Sequence, residues 1–192
     1  LLNVNHLVDP HIHLTVHAPL TFSVKAGEVV YVIGPNGSGK STLLNLIAGI
    51  LPLQKGSIEA KSLFYCGHET GLKESLSIGE NINFRCDLYG GRSREEQEEV
   101  LSLFRLEKMK KRLVGTLSAG QKRQVALISG VLSKRPLWIL DEPLSHLDTQ
   151  AKDIFKVVLS NHLQKGRAAI IAAHDFSKEE KGYYLELHSD TL

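Results

Sequence analysis

The sequence predicts an α/β fold built on parallel strands, and three observations carry that prediction. Val29–Ile33 is a short continuous apolar run. It leads into the glycine-rich stretch 34–39, after which Leu43, Leu44, Ile47 and Ile50 fall on one helical face. Residues 137–140 and 168–172 are apolar runs that each follow a helical stretch, the pattern of strands buried on both faces.

Taken in order, Leu20–Val24 alternates apolar with small polar residues and reads as a half-buried strand, and residues 25–28 turn into the buried strand Val29–Ile33. Pro52 closes the helix that follows the glycines. Leu63–Cys66 is a further strand. Ser77 with Glu80, Ser93 with Glu96 and Ser118 with Gln121 are capping boxes, so three helix starts in succession mark a helical lobe over about residues 70–134. Residues 183–187 form a final strand. The chain of 192 residues suits one compact domain.

Composition excludes several classes. The 23 Lys and Arg stand against 21 Asp and Glu, a formal net charge of +2, so no global field advertises nucleic-acid or anionic-membrane binding and no nucleic-acid partner is expected. Cys66 and Cys86 lack CxxC spacing and read as reduced, packed thiols. The most apolar stretch, residues 43–53, contains Asn45, Gly49 and Pro52 and falls short of the ~20 residues that a membrane span needs. Residues 1–14 include Asp9 and three histidines and do not read as a secretory signal. The basic run 108–112 reads as a solvated helix end.

Gly34, Pro35, Asn36, Gly37, Ser38, Gly39, Lys40 and Ser41 fit GxxxxGK[ST], the P-loop pattern, between a buried strand and a helix, with Thr42 next in line. Glycines let backbone N–H groups turn inward around phosphates, the helix N-terminus adds its positive dipole, Lys40 supplies a point charge, and the Ser41 hydroxyl suits Mg²⁺. Residues 137–142 form a strand ending in adjacent acids. Strand alternation sends their side chains apart, so Asp141 is the candidate metal partner and Glu142 the candidate base for water. The expected ligands are ATP and Mg²⁺.

The segment Leu117, Ser118, Ala119, Gly120, Gln121 resembles the LSGGQ signature of ABC ATPases, with Ala119 in place of a glycine. Ser118 caps a helix running to about Ser133, and its exposed N-terminus suits a phosphate. Residues 145–148 look like the D-loop of that family and His174 like its switch histidine. All these motifs occur in the order that ABC domains show. The resemblance implies an ABC-type nucleotide-binding domain with a RecA-like core, a small antiparallel β subdomain and a helical subdomain. It further implies a head-to-tail dimer sandwiching ATP, with Ser118, Gly120 and Gln121 facing nucleotide bound by the second copy.

Two positions depart from the pattern. His68 stands where ABC domains carry the Q-loop glutamine, twelve residues before Glu80; a neutral imidazole accepts a hydrogen bond and a protonated one does not. That substitution predicts ATPase activity that falls below about pH 6.5, the reference histidine value, and makes His68 a candidate catalytic residue with Glu142 and His174. The aromatic residue that stacks on adenine is missing near the N-terminus, where His11 or His13 is the substitute.

The Gly67-His68 pair with Gly71-Leu72-Lys73, then Leu76 and residues 80–84, 117–127 and 137–143, resemble the ATP-binding subunit of the haem exporter of cytochrome c maturation. The resemblance implies separate transmembrane permease subunits, a peripheral position on the cytoplasmic face of a bacterial inner membrane, and haem handled by those partners. His11, His13 and His17 read as surface or strand residues rather than axial ligands. Residues 68–84 are the expected docking surface for the membrane subunit. Other small exporters share the SAGQ variant. A soluble ABC ATPase acting on nucleic acid or ribosomes would need a coiled-coil insertion or a second nucleotide domain. A P-loop kinase would not carry residues 117–121; Lys40, Asp141, Glu142 and His174 argue against a module that binds ATP without turnover, while His68 leaves that alternative open.

Overall fold

A computed structural model describes residues 1–12, 19–90, 92–173 and 182–188. The chain divides into two compact units. The first comprises Leu1–Gly67, Arg135–Pro143 and His162–Leu192; the second comprises His68–Lys134 and Leu144–Asn161.

The first unit holds two sheets. Strands β1 (Leu2–Val8), β2 (Leu20–Val24) and β4 (Lys55–Ala60) form an antiparallel sheet in the order β2-β1-β4. β1 and β4 escaped the sequence reading: the alternation of β1 breaks between Val4 and Leu7, where the register shifts and His6 has φ 51°, and β4 is exposed along most of its length with no apolar alternation to announce it. The second sheet contains β3 (Val29–Ile33), β5 (Leu63–Cys66), β6 (Leu137–Asp141), β7 (Ala168–Ala173) and β8 (Tyr183–Glu186), all parallel, in the order β5-β6-β7-β3-β8. The two apolar central strands are buried along their full length, as expected for parallel strands covered on both faces.

Helix α1 (Lys40–Ile47) starts directly at the glycine-rich loop, and Leu43, Leu44, Leu46 and Ile47 bury against Val30, Val32, Ile139 and Ile170. The helix is shorter than its periodicity predicts. Ala48 caps it, Gly49 has φ 72°, and Ile50, expected on the apolar face, lies beyond the helix end and is 56% exposed. A glycine in the left-handed region ends a helix at little cost, which overrides the apolar spacing.

Register determines what meets at the sheet's C-terminal edge. Ile33 of β3 pairs with Ala173, and Asp141 of β6 pairs with Ala172, so the strand that leads to the glycine loop and the strand that ends in the acids flank β7. Ligands of open α/β sheets bind at this edge.

The second unit is mainly helical. It contains α2 (Ile78–Leu88), α3 (Arg94–Leu103), two short 3₁₀ turns at Glu107–Met109 and Val114–Thr116, α4 (Ala119–Ser133) and most of α5 (Thr149–Gln164). All three capping boxes form: the hydroxyls of Ser77, Ser93 and Ser118 accept from the backbone N–H groups of Glu80, Glu96 and Gln121, and those side chains return to the cap backbones. α4 ends at Ser133, the position the sequence predicts. Ile78, Ile82 and Cys86 share one buried stripe of α2, and Val125, Ile128 and Leu132 share one on α4. The basic run is not wholly solvated, because Lys110 Nζ reaches the Glu98 carboxylate at 2.5 Å. Neither cysteine forms a disulfide among the described residues, and both are buried. Among the described residues no helix is long and apolar enough to cross a membrane.

Candidate active site

In the first unit the loop after β3 closes a pocket of about 330 Å³ lined by His11, Asn36, Gly37, Gly39, Lys40, Ser41, Thr42 and Glu142. Two glycines make the loop's path possible. Gly34 has φ 150°, and a Cβ there would stand 2.2 Å from the Leu187 carbonyl oxygen; Gly39 has φ 92°, and a Cβ there would stand 2.0 Å from the His11 carbonyl oxygen. A side chain at either place would push on backbone rather than on a flexible group.

Lys40 is 6% exposed, and its Nζ donates to the carbonyls of Gly34 at 2.7 Å and Pro35 at 2.8 Å. Burial lowers its pKa from the ordinary lysine value, while the Glu142 and Asp141 carboxylates act the other way. Ser38 is fully buried and its hydroxyl has no hydrogen-bond partner among the described residues. A buried hydroxyl of this kind is costly unless a ligand or water completes it. A phosphate oxygen would supply the missing acceptor, so the loop's residues fit a nucleotide phosphate.

Asp141 ends β6 and is 3% exposed, whereas Glu142 opens toward the pocket. Their separation does not come from strand alternation, as the sequence suggested. Glu142 leaves the strand with φ 48°, while its N–H still donates to the Ala172 carbonyl at 2.9 Å. Tyr65 on β5 hydrogen-bonds Asn45 of α1 at 2.6 Å through its hydroxyl, and its pKa is pushed up to about 12 by burial, then by Asp141 and Cys66. His11 joins the pocket from the turn after β1, its N–H and Nδ1 set against Asp9 Oδ1 at 2.9 and 3.1 Å. His13, His17 and His174 lie outside the described residues.

In the second unit the signature segment presents an exposed helix start. Ser118 and Ala119 are exposed, and Gly120 lies so near the following loop that a Cβ would stand 2.4 Å from the His146 carbonyl oxygen. The Gln121 side chain is engaged in the capping box, its Oε1 accepting from the Ser118 N–H at 3.1 Å, and so serves the helix end rather than projecting freely. His68, Glu69, Thr70, Gly71, Leu72, Glu74, Ala119, Lys122, Arg123 and His146 line a pocket of about 530 Å³. The engagement of Lys122 and Arg123 with the His68 loop was not legible in the sequence, where both look like solvent-facing residues of a helix.

A buried parallel sheet with a glycine loop, an inward lysine and a strand-end carboxylate at one edge defines a P-loop nucleotide-binding fold. The chain belongs to the ABC transporter family, whose model matches residues 18–145. It is 39% identical over 170 residues to the cytochrome c biogenesis ATP-binding export protein CcmA of Xanthomonas campestris pv. campestris, covering 83% of this chain and 79% of that protein. It is 41% identical over 155 residues to the protein of the same name from Paracoccus denitrificans, covering 80% and 72%. Among solved structures, an ATP-binding subunit of an ABC transporter matches with a TM-score of 0.86 at 28% identity, over 98% of this chain and 86% of that one. A dimeric post-hydrolysis ATP-binding cassette bound to ADP and Pi matches with a TM-score of 0.83, over 99% of this chain and 97% of that one; at 19% identity it shows the fold alone.

Proposed function

We propose that the chain is the ATP-hydrolysing subunit of an ABC transporter that serves haem export or release in cytochrome c maturation. The observation that carries the hydrolytic part is the placement of Lys40, Ser41 and Glu142 on one pocket. The likeness to the CcmA proteins, at about 40% identity over most of the chain, supports the biogenesis role. Residues 1–192 act as one cassette, with the helical residues 70–134 as its signature-bearing part.

Gly34, Gly37 and Gly39 let the loop backbone turn toward the β- and γ-phosphates, and Ser38 donates its buried hydroxyl to a phosphate oxygen. Lys40 exchanges its two loop carbonyls for phosphate oxygens, which are charged and therefore stronger acceptors. A serine hydroxyl and one carboxylate match the donor set with which Mg²⁺ is held beside a nucleotide, so Ser41 and Asp141 would be its protein ligands. Mg²⁺, when bound, neutralises charge that develops on the phosphates. Glu142, set off from Asp141 by its left-handed turn, orients a water and takes its proton. His174 takes part in that step, as the family resemblance implies, and His68, which departs from the family pattern, would accept as neutral imidazole in place of the Q-loop glutamine.

The exposed start of α4 supports a composite site, because a helix N-terminus with unspent N–H groups attracts a phosphate brought by a second copy. Ser118 and Gly120 contact that phosphate and Gln121 braces the cap. Permease subunits on other chains span the bilayer and choose the cargo, and this subunit sits peripherally on the cytoplasmic face of the inner membrane.

Affinity purification from detergent-solubilised native membranes, with mass spectrometry of partners and haem absorbance of the eluate, tests the reading. Small multi-span subunits with haem are the expected result. A different permease would discard the haem assignment, and ATP turnover indistinguishable from Lys40→Ala would discard the hydrolytic one.

A further inference from the structure

Arg123, in the second turn of α4, is only 3% exposed. Its Nη2 donates to the His68 carbonyl at 2.9 Å and approaches Ser145 Oγ at 3.4 Å. One guanidinium therefore reaches three segments of the second unit: the signature helix that carries it, the loop opening at His68, and the loop before α5. Neighbouring contacts reinforce the same junction. Lys122 Nζ meets the Glu74 carboxylate at 2.5 Å, and Gly120 packs against the His146 carbonyl.

A buried charge is tolerated when its donors are engaged, and the planar fork of arginine can serve two segments at once where the single ammonium of lysine cannot. The bond to His68 goes to its backbone. The loop is thereby held in place while the exposed imidazole of His68 stays available to the pocket it lines with Glu69, Lys122 and His146.

We propose that Arg123 is a positioning residue that joins the start of the signature helix to the His68 loop and the Ser145 loop, so that the three segments respond to nucleotide as one body. The coupling to turnover rests on the ATPase reading above; the mechanical junction does not. Arg123 acts through the segments it holds and touches no reacting atom.

Hydrogen exchange on the full chain, comparing wild type with Arg123→Lys and Ser145→Ala, decides the matter. In Arg123→Lys, residues 68–74 and 144–148 should both exchange about tenfold faster, the scale of losing a hydrogen bond to a charged group. In Ser145→Ala only residues 144–148 should loosen. In steady-state assays Arg123→Lys should lower kcat by up to about 10²-fold with KM within about twofold, because misplacement of a catalytic segment costs rate rather than nucleotide affinity. Wild-type protection of both loops in a folded Arg123→Lys protein would overturn the proposal. If that variant does not fold, unchanged exchange at residues 144–148 in Ser145→Ala would overturn it instead. A wild-type chain that binds ATP without turning it over would defeat the hydrolytic reading and leave the exchange comparison to decide the junction.

Discussion

Glu142 follows Asp141 in the chain but not in the strand: Asp141 is sealed at the end of β6, and Glu142 turns out of it with φ 48° while its N–H donates to the Ala172 carbonyl at 2.9 Å. That turn assigns two adjacent carboxylates to two environments. A non-glycine residue in the left-handed region carries local strain, which persists only where the surroundings hold it. Here β7 provides the hold.

Glu142→Gln keeps size and loses the basic oxygen. Turnover is expected to fall by about 10²–10⁴-fold with ATP affinity retained, so a dimer accumulates in ATP. Steady-state ATPase assays with light scattering measure both, and near-normal turnover would remove Glu142 from the role of base.

Gly39→Ala places a Cβ 2.0 Å from the His11 carbonyl oxygen at φ 92°. Gly37 also has positive φ, at 83°, but a Cβ there meets nothing within 4 Å among the described residues. Gly37→Ala should therefore cost only the backbone strain, about 1–2 kcal/mol, whereas Gly39→Ala should lose that and distort the loop. Nucleotide titration and thermal melting of the two variants should separate them. Equal losses would mean that the close approach of the N-terminal turn is immaterial.

Ser118→Ala removes the cap of α4 and should destabilise the protein by about 1 kcal/mol. Ser118→Arg should leave monomer folding and nucleotide affinity in place but block ATP-driven dimerisation, since a bulky cation opposes the helix dipole at the phosphate seat. Sedimentation of the Glu142→Gln protein with and without Ser118→Arg is the measurement, and a retained dimer would count against composite sites.

His162 gives an acid-stability prediction away from the site. Its ring stacks on Trp138 at 3.8 Å, Nε2 lies 3.0 Å from the Ala168 carbonyl, and Nδ1 is buried with no hydrogen-bond partner among the described residues. Burial first, opposed by the Ala168 hydrogen bond and aided by Arg167 and Lys165, pushes its pKa down from 6.5 to about 4. The folded value lies below the unfolded one, so between those two pH values the unfolded chain binds more protons. Stability is full above about pH 6.5 and declines as pH falls toward 4, by on the order of 3 kcal/mol. Urea midpoints across that range should fall in wild type and flatten in His162→Phe; parallel curves would rule His162 out.

Much of the site was legible in sequence because its chemistry needs particular residues at short spacing. Gly34 to Ser41 act through consecutive backbone groups, and the boxes Ser77 with Glu80, Ser93 with Glu96 and Ser118 with Gln121 close within one helical turn. Asp141 with Glu142 was legible as a pair, but the turn that separates them was not, since nothing local marks a glutamate for φ 48°. β4 was missed for want of an apolar face.

The sequence by itself determined the strand-loop-helix unit, the helix starts and the order of the motifs, because hydrophobic period, capping and glycine freedom act over a few residues. Only the tertiary structure decided that His11 closes on Gly39, that β7 stands between the glycine loop and the acids, and that Arg123 is buried against His68 and Ser145. Those contacts join residues 22 to 55 or more positions apart in the chain, or depend on sheet order, and burial at such a range leaves no local pattern to read.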